Sequence, residues 1–578
     1  MKAALKQPAF LPISRTEMQS LGWQELDVLL ITGDSYVDYP AFGVALLGRW
    51  LVAHGYRTGI VAQPDWKDPL NLAPMGRPRL FAGISAGALD SMLAHYTAFR
   101  KIRRDDAFSP GGMAGARPNR ACLVYANMAR AAFPGLPVVL GGIEASLRRI
   151  THYDFWSDTL RRPILLDAKA ELLVYGMGER AVLEIARQLE QGGTLTGIWG
   201  TAYMGREEDI PADAPRMRLP AHEDMLQKPE LLVKAALLLE RHVHVGDAWA
   251  VQHAGGRSLL LAPPARALST EELDALYELP FSRRAHPAYK NAIPAEEMLR
   301  DSITSHRGCG GGCSFCSLAL HQGRRIASRS EESLLREART LAQQPGFSGA
   351  VSDVGGPTAN MWQAACAKAN ACRRVSCCFP KLCPSFRIRQ RKHVAMLEKM
   401  RALPGIRHLR IASGIRSDLA LAEPDMLRAY TTTFTGGQLK VAPEHCAPHV
   451  LELMRKPPLE VFEAFLQAFY THSANAKREH YVVPYLMSAF PGCTEAHMRE
   501  LGRWLAARHW RPQQVQCFTP TPGTLATAMF YAGTDAGGRP IPVARTDADR
   551  LRQHRILLRG NNWRQHDAAH RRKPPDPT

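Results

Sequence analysis

The 578-residue chain has no apolar run near the ~18–20 residues that a membrane-spanning helix needs, which excludes such a helix as an anchor. Its opening stretch carries Pro8 and Pro12 where an export signal needs unbroken apolar residues, so a cytoplasmic protein is expected. Acidic residues are in deficit: 54 Asp+Glu against 73 Lys+Arg leave a net charge of +19. Such a field attracts RNA, DNA or anionic small molecules. Short basic clusters (Arg100 to Arg104, Arg387 to Lys392, Arg571 to Lys573) read equally well as solvated surface, so charge alone names no partner. Cysteine is missing from the whole interval between Cys122 and Cys309. Twelve cysteines so unevenly spread in a long chain do not read as a disulfide framework.

What is present has globular proportions, 46% hydrophobic and 22% charged, in a length suited to two to four domains at ~150 residues each. Through the first 200 residues, short β-branched runs alternate with helical spacing. Strands are expected near Asp27–Ile31, Gly59–Ala62, Leu80–Ile84, Pro137–Gly141 and Leu172–Tyr175, and helices at Phe42–Gly55, Ala86–Phe99 and Glu179–Gln191. That alternation predicts parallel βαβ units and a doubly wound α/β domain over 1–204. Prolines punctuate 205–294, which reads as a connecting region. Over 295–531 the alternation resumes with six strand candidates, near Ser302, Gly349, His408, Gln438, Tyr481 and Val515. Six βα-like units predict a barrel or partial barrel, with its chemistry at the carboxyl ends of the strands. Residues 532–578 read as an extension, disordered from about His566.

The first barrel strand runs directly into Cys309-Gly310-Gly311-Gly312-Cys313-Ser314-Phe315-Cys316. Three thiolates at Cys-x3-Cys-x2-Cys spacing can wrap one compact metal centre, and the glycines let the backbone turn tightly around it. An iron–sulfur cube normally takes four cysteines, and the next, Cys366, lies 50 residues on. One iron would then be open to substrate or cofactor, as the open position of a catalytic zinc is. A structural Cys3His zinc site with His306 or His321, or a set of free thiols, remains the alternative. A second constellation, Cys372, Cys377 and Cys383 with Cys378 adjacent, reads as an auxiliary cluster, a zinc site or core thiols.

The Cys309-x3-Cys313-x2-Cys316 motif, with an aromatic before its last cysteine, is the signature of the radical S-adenosylmethionine superfamily. The chain most resembles the YgiQ-type branch of it. Stretches that carry the resemblance include Ile31-Thr32-Gly33-Asp34-Ser35-Tyr36, Leu140-Gly141-Gly142-Ile143-Glu144-Ala145-Ser146, Gly355-Gly356-Pro357-Thr358-Ala359-Asn360, Leu439-Lys440-Val441-Ala442-Pro443-Glu444-His445 and Thr519-Pro520-Thr521-Pro522-Gly523. They fall between about Phe10 and Tyr531.

The resemblance implies a partial (β/α)6 barrel in which Cys309, Cys313 and Cys316 hold a [4Fe–4S] cluster, with S-adenosylmethionine on the open iron. Reductive cleavage would give a 5′-deoxyadenosyl radical. Phe315 would pack near the adenine, and Gly355 and Gly356 would lie beside the methionine amine. Pro357 stands where the superfamily often has a glutamate. Ser413 and Arg416 are candidates for the ribose or carboxylate. A one-electron donor such as a flavodoxin or ferredoxin is implied, and Cys372, Cys377 and Cys383 resemble the branch pattern.

The N-terminal domain resembles cobalamin-binding domains, but no Asp-x-His-x-x-Gly occurs to supply a histidine to cobalt. Three functional readings follow: modification of RNA, as in tRNA methylthiotransferases; cobalamin-assisted alkylation of a small molecule; and a non-catalytic iron–sulfur or zinc protein.

Overall fold

The computed structural model describes residues 4–558 apart from 369–371, 373, 513 and 514. Five strands open the chain: β1 (Val28–Thr32), β2 (Thr58–Ala62), β3 (Phe81–Ser85), β4 (Val138–Gly141) and β5 (Leu172–Val174). β1, Val-Leu-Leu-Ile-Thr, has no exposed position. Continuous apolar runs of this kind suit a parallel sheet covered on both faces. The five lie in the order β2-β1-β3-β4-β5, all parallel, which is the doubly wound arrangement expected. The sheet order reverses direction between β1 and β3, where such sheets leave a crevice at their carboxyl ends.

The sheet does not stop at residue 204. β6 (Thr201–Gly205), β7 (Arg216–Arg218), β8 (Trp249–Ala254) and β9 (Arg257–Leu261) extend it in the order β5-β6-β9-β8-β7. The segment read as a connecting region therefore supplies three strands to the same sheet. The pair β8–β9 is an antiparallel hairpin closed by Gly255-Gly256, both at positive φ. That two-residue turn is a strong hairpin signal, masked in the sequence by the surrounding prolines. The helix expected over Ala86–Phe99 shrinks to Ser91–His95, capped by the Asp90 side chain. Ahead of it, the Ala88 N–H donates to the Asp34 carboxylate (2.6 Å), which holds the chain out of helical geometry.

All six expected barrel strands form: β10 (Ser302–Thr304), β11 (Asp353–Gly355), β12 (His408–Leu409), β13 (Gln438–Glu444), β14 (Tyr481–Ser488) and β15 (Val515–Cys517). β10 pairs with β11, the short piece Ala350–Val351 ahead of β11 pairs with β12, and β13-β14-β15 form a second parallel group. A single Ile411 N–H to Phe434 carbonyl bond (3.0 Å) links the end of β12 to the approach to β13. The result is an incomplete barrel. Helices Glu331–Ala342, Gln390–Arg401 and Leu459–Asn475 cover it, packing Leu334, Met396 and Phe465 against Ile303, Leu409 and Leu439.

The largest apolar cluster runs from the N-terminal sheet into residues 446–557, so the two halves share a core. Within the extension expected to be partly disordered, Asp547–Leu558 is a helix with Arg550, Gln553 and Leu557 buried. The tail expected from His566, with Arg571 to Lys573, lies outside the described residues. Among the described residues, no helix is long and apolar enough to cross a membrane.

A candidate metal and cofactor site at the cysteine loop

The loop after β10 is shaped by its glycines. Gly308 has φ +85°, and a Cβ there would sit 1.9 Å from the Arg325 carbonyl oxygen. Gly312 has φ +64°, with the Val375 carbonyl oxygen 2.4 Å from a Cβ. Both conformations and both close approaches require glycine. Side chains and backbone then pin the loop: Ser314 Oγ donates to the Leu453 carbonyl (2.7 Å), and the Ala526 N–H donates to the Ser314 carbonyl (2.9 Å). The loop is thus clamped from the far end of the chain.

Cys309, Cys313 and Cys316 all line one cavity of about 270 Å³. The same cavity is bordered by Phe315, Pro357, Thr358, Arg416, Glu444 and Tyr485. The Phe315 ring stands edge-on to Phe490, with centroids 6.2 Å apart. Donors already face the sulfurs. The Gly311 N–H donates to Cys309 Sγ (3.4 Å), and Arg416 Nη1 lies 4.0 Å from Cys313 Sγ. Such donors tune a thiolate-bound metal centre. Burial pushes the Cys309 thiol up and Cys316 to about 12, so without a bound cation these groups stay protonated.

The donor set fits a cluster in chemistry: three thiols and sulfur-directed N–H groups on one cavity. The three side chains border the cavity without converging on a point: among the described residues, no three His, Cys, Asp or Glu side chains are gathered at metal-binding geometry. The zinc alternative fares less well. His306 and His321 line a different cavity from the one the three thiols border.

The structure separates the remaining sequence-derived residues. Arg416 borders the cavity with its guanidinium held by both oxygens of Asp418 (3.0 and 2.7 Å). Gly355, Gly356 and Ser413 do not line this cavity and lie close against neighbouring segments. A Cβ on Gly355 would meet Ser413 Oγ at 2.1 Å, and one on Gly356 the His306 carbonyl oxygen at 2.6 Å. The Ser413 hydroxyl donates to Asp353 Oδ1 (3.1 Å). It is the next two residues, Pro357 and Thr358, that line the cavity.

The second cysteine constellation braces the first. The Cys377 N–H donates to the Gly310 carbonyl (2.8 Å), and the Cys383 N–H to the Cys377 carbonyl (2.8 Å). Cys377 and Cys378 are buried in an apolar cluster with Met361, Phe386 and Leu419. Burial raises the Cys377 thiol, opposed by Arg324, and the nearby Cys366 and Cys372 thiols add to the rise.

One further residue at the site lies in a stretch that carries the resemblance but is not singled out by the sequence. Glu444 ends β13 at φ +69°, rare for a non-glycine residue, where the pairing with β14 shifts register. Bulges and left-handed residues of this sort are recurrent at functional sites. Burial raises its carboxyl, with Lys456 opposing at 4.0 Å. The Leu439–His445 stretch does not by itself say which of its residues faces the site; the bulge and the cavity lining do.

Residues 10–302 match the family model described as Radical SAM N-terminal. A UPF0313 protein of Geobacter sulfurreducens is 48% identical, over 95% of this chain and 92% of its own length. A UPF0313 protein of Thermotoga neapolitana is 45% identical, over 93% and 96% respectively. Among solved structures, the radical S-adenosylmethionine methyltransferase TsrM from Kitasatospora setae, with cobalamin and a [4Fe–4S] cluster bound, aligns at 15% identity. Its TM-score is 0.49, over 91% of this chain and 84% of that one, a likeness too remote to transfer a function.

Proposed function

Because the chain belongs to the Radical SAM N-terminal family, we propose that it is an enzyme in which Cys309, Cys313 and Cys316 hold a [4Fe–4S] cluster that cleaves S-adenosylmethionine. When bound, the cluster supplies one electron, and cleavage yields methionine and a 5′-deoxyadenosyl radical that takes hydrogen from an organic substrate. The observation that carries this reading is the single cavity that the three cysteines share with Phe315, Thr358 and Arg416.

In this reading the chain's residues hold, orient and exclude water. Phe315 offers an apolar face to the adenine. Arg416, fixed by Asp418, faces a carboxylate or ribose oxygens. Glu444 supplies the carboxylate that Pro357 cannot. Gly355, Gly356 and Ser413 keep β10, β11 and β12 close enough for the loop to form. A flavodoxin- or ferredoxin-like protein would deliver the electron. The proposal contains no cobalamin step, because the sequence lacks an Asp-x-His-x-x-Gly to supply a histidine to cobalt.

The test is anaerobic reconstitution with iron and sulfide, followed by reduction in the presence of S-adenosylmethionine and assay for 5′-deoxyadenosine. Product from the parent but not from Cys313→Ala supports the proposal. A colourless protein that binds zinc and forms no product would contradict it.

A further inference from the structure

Two more cavities lie beyond the segment that follows the cysteines. The inner one, about 430 Å³, sits where the carboxyl ends of β1, β3, β4 and β5 face β10 and Gly356-Pro357. Its walls are apolar, including Leu30, Phe42, Leu46, Ile84, Leu140 and Val182. Charges at its border are paired within the protein: Asp34 with Arg117 (2.9 Å) and Glu179 with Arg307. Burial pushes Asp34 up to about 6, and lowers His306 and His321 to about 4 each. The inner chamber therefore presents little net charge, and an ion placed deep in it would be strongly disfavoured.

The outer cavity, about 640 Å³, is different. Five arginines, Arg180, Arg266, Arg307, Arg324 and Arg325, border it against two carboxylates, Glu179 and Asp247. Glu179 is taken by Arg307, while Arg180 finds Glu272. The balance at this border is positive. Guanidinium groups are the side chains best shaped for carboxylate and phosphate.

The two cavities share Gly176, Met177, Glu179, Arg307, His321 and Gln322, so an apolar inner cavity and a basic outer cavity adjoin across these residues. Leu318 and Pro357 line both the inner chamber and the cysteine cavity. One layer of side chains thus separates the inner end from the proposed site of radical formation. Each volume is that of a pocket for a small molecule, roughly 300–1,000 Å³.

We propose that these adjoining cavities open into each other around Arg307 to make the substrate site, and that it takes a small amphipathic anion with its apolar body against the ends of the sheet strands and its carboxylate or phosphate among the arginines. The chemistry done there rests on the function proposed above; the binding does not. A polynucleotide is a poor fit, because an apolar chamber offers nothing to a charged backbone.

Gly43 makes the test clean. It borders the chamber at the start of helix Gly43–Ala53, its φ lies outside the left-handed region, and a Cβ there meets nothing within 4 Å. The full chain is titrated with two fluorescent probes. One is 1-anilinonaphthalene-8-sulfonate, an apolar body with one anionic group; the other is N-phenyl-1-naphthylamine, the same body without charge. Both are expected to saturate a single site. Gly43→Phe should weaken both by about tenfold or more, the scale of ~1.4 kcal/mol. Gly43→Leu serves if the larger variant melts early. Arg266→Ala, an exposed position, should weaken the sulfonate by about threefold or more and leave the neutral probe unchanged.

Dodecanoate and dodecyl phosphate, each used to displace the probes, separate the two head groups. Probes that bind the glycine variants like the parent would overturn the site, as would failure of either amphiphile to displace them. Equal loss of both probes in Arg266→Ala would overturn the anion. Displacement by stoichiometric tRNA or hydroxocobalamin would overturn the ligand class. Probe binding needs no cluster, so a parent that binds as described yet forms no 5′-deoxyadenosine keeps the site and loses the reaction.

Discussion

The cysteine cavity and the inner chamber lie back to back across Leu318 and Pro357, yet they are built in opposite ways. The first takes the three thiols of the proposed cluster from eight consecutive residues, shaped by Gly308 and Gly312, which tolerate no side chain. The second takes its walls from the ends of the sheet strands and from several helices, with no residue type repeated at a fixed spacing. Chemistry that needs particular atoms concentrates in a motif. Recognition that needs only apolar shape is assembled by the fold.

The largest effect that would sharpen this contrast is at the thiols. Cys313→Ala should cut bound iron and 5′-deoxyadenosine formation by about 100-fold or more, beyond the ~10–100-fold that losses around a metal's ligands usually cost. Probe binding in the chamber should be unchanged. A variant that loses both would mean that the two cavities are one functional unit.

Next in size is the loop backbone. Gly308→Ala forces a methyl within 1.9 Å of the Arg325 carbonyl oxygen at φ +85°. A destabilisation of about 2–4 kcal/mol is expected, read from the denaturant midpoint. Iron retention should fall with it. The same substitution at Gly43 should be neutral or slightly stabilising, because it lies in open space at a helix start.

A smaller effect separates the chamber by pH. Burial raises Asp34 from its ordinary 3.8 to about 6, opposed by Arg117 and reinforced by Asp106. A raised carboxyl contributes stability that is full below about 3.8 and lost as pH rises through about 6. Relative to Asp34→Asn, the parent should therefore lose stability between about pH 4 and pH 7, measured by urea midpoints at each pH. A flat difference would mean that Asp34 stays ionised beside Arg117.

The smallest effect belongs to the second cysteine segment. Cys378 is 2% exposed and packed among apolar side chains. Cys378→Ala should cost about 1 kcal/mol and leave iron content unchanged. Iron loss comparable to that of Cys313→Ala would turn this segment from a brace into a ligand set.

Legibility follows the same division. The five parallel strands and all six barrel strands can be read because each is a short β-branched or aliphatic run between helical patterns. The hairpin Trp249–Leu261 is hidden by neighbouring prolines, although Gly255-Gly256 announces it. Ala86–Phe99 carries helical spacing that a tertiary bond from Ala88 to Asp34 overrides. At the site, Cys309, Cys313, Cys316, Phe315 and Arg416 are legible and meet at one cavity. Gly355, Gly356 and Ser413 resemble cofactor contacts in sequence, but their nearest neighbours are adjacent strands. Glu444 falls within a stretch that carries the resemblance, but its place at the site and the adjoining chambers are not legible there, because a bulge and a cavity are properties of pairing and packing.

The most direct test is electron paramagnetic resonance of the reconstituted, reduced protein with and without S-adenosylmethionine. The expected result is an iron–sulfur signal that changes shape on adding S-adenosylmethionine, because one iron lacks a protein ligand, and that is lost in Cys313→Ala. An iron–sulfur signal indifferent to S-adenosylmethionine, or no such signal at all, would contradict a three-cysteine cluster with an open iron.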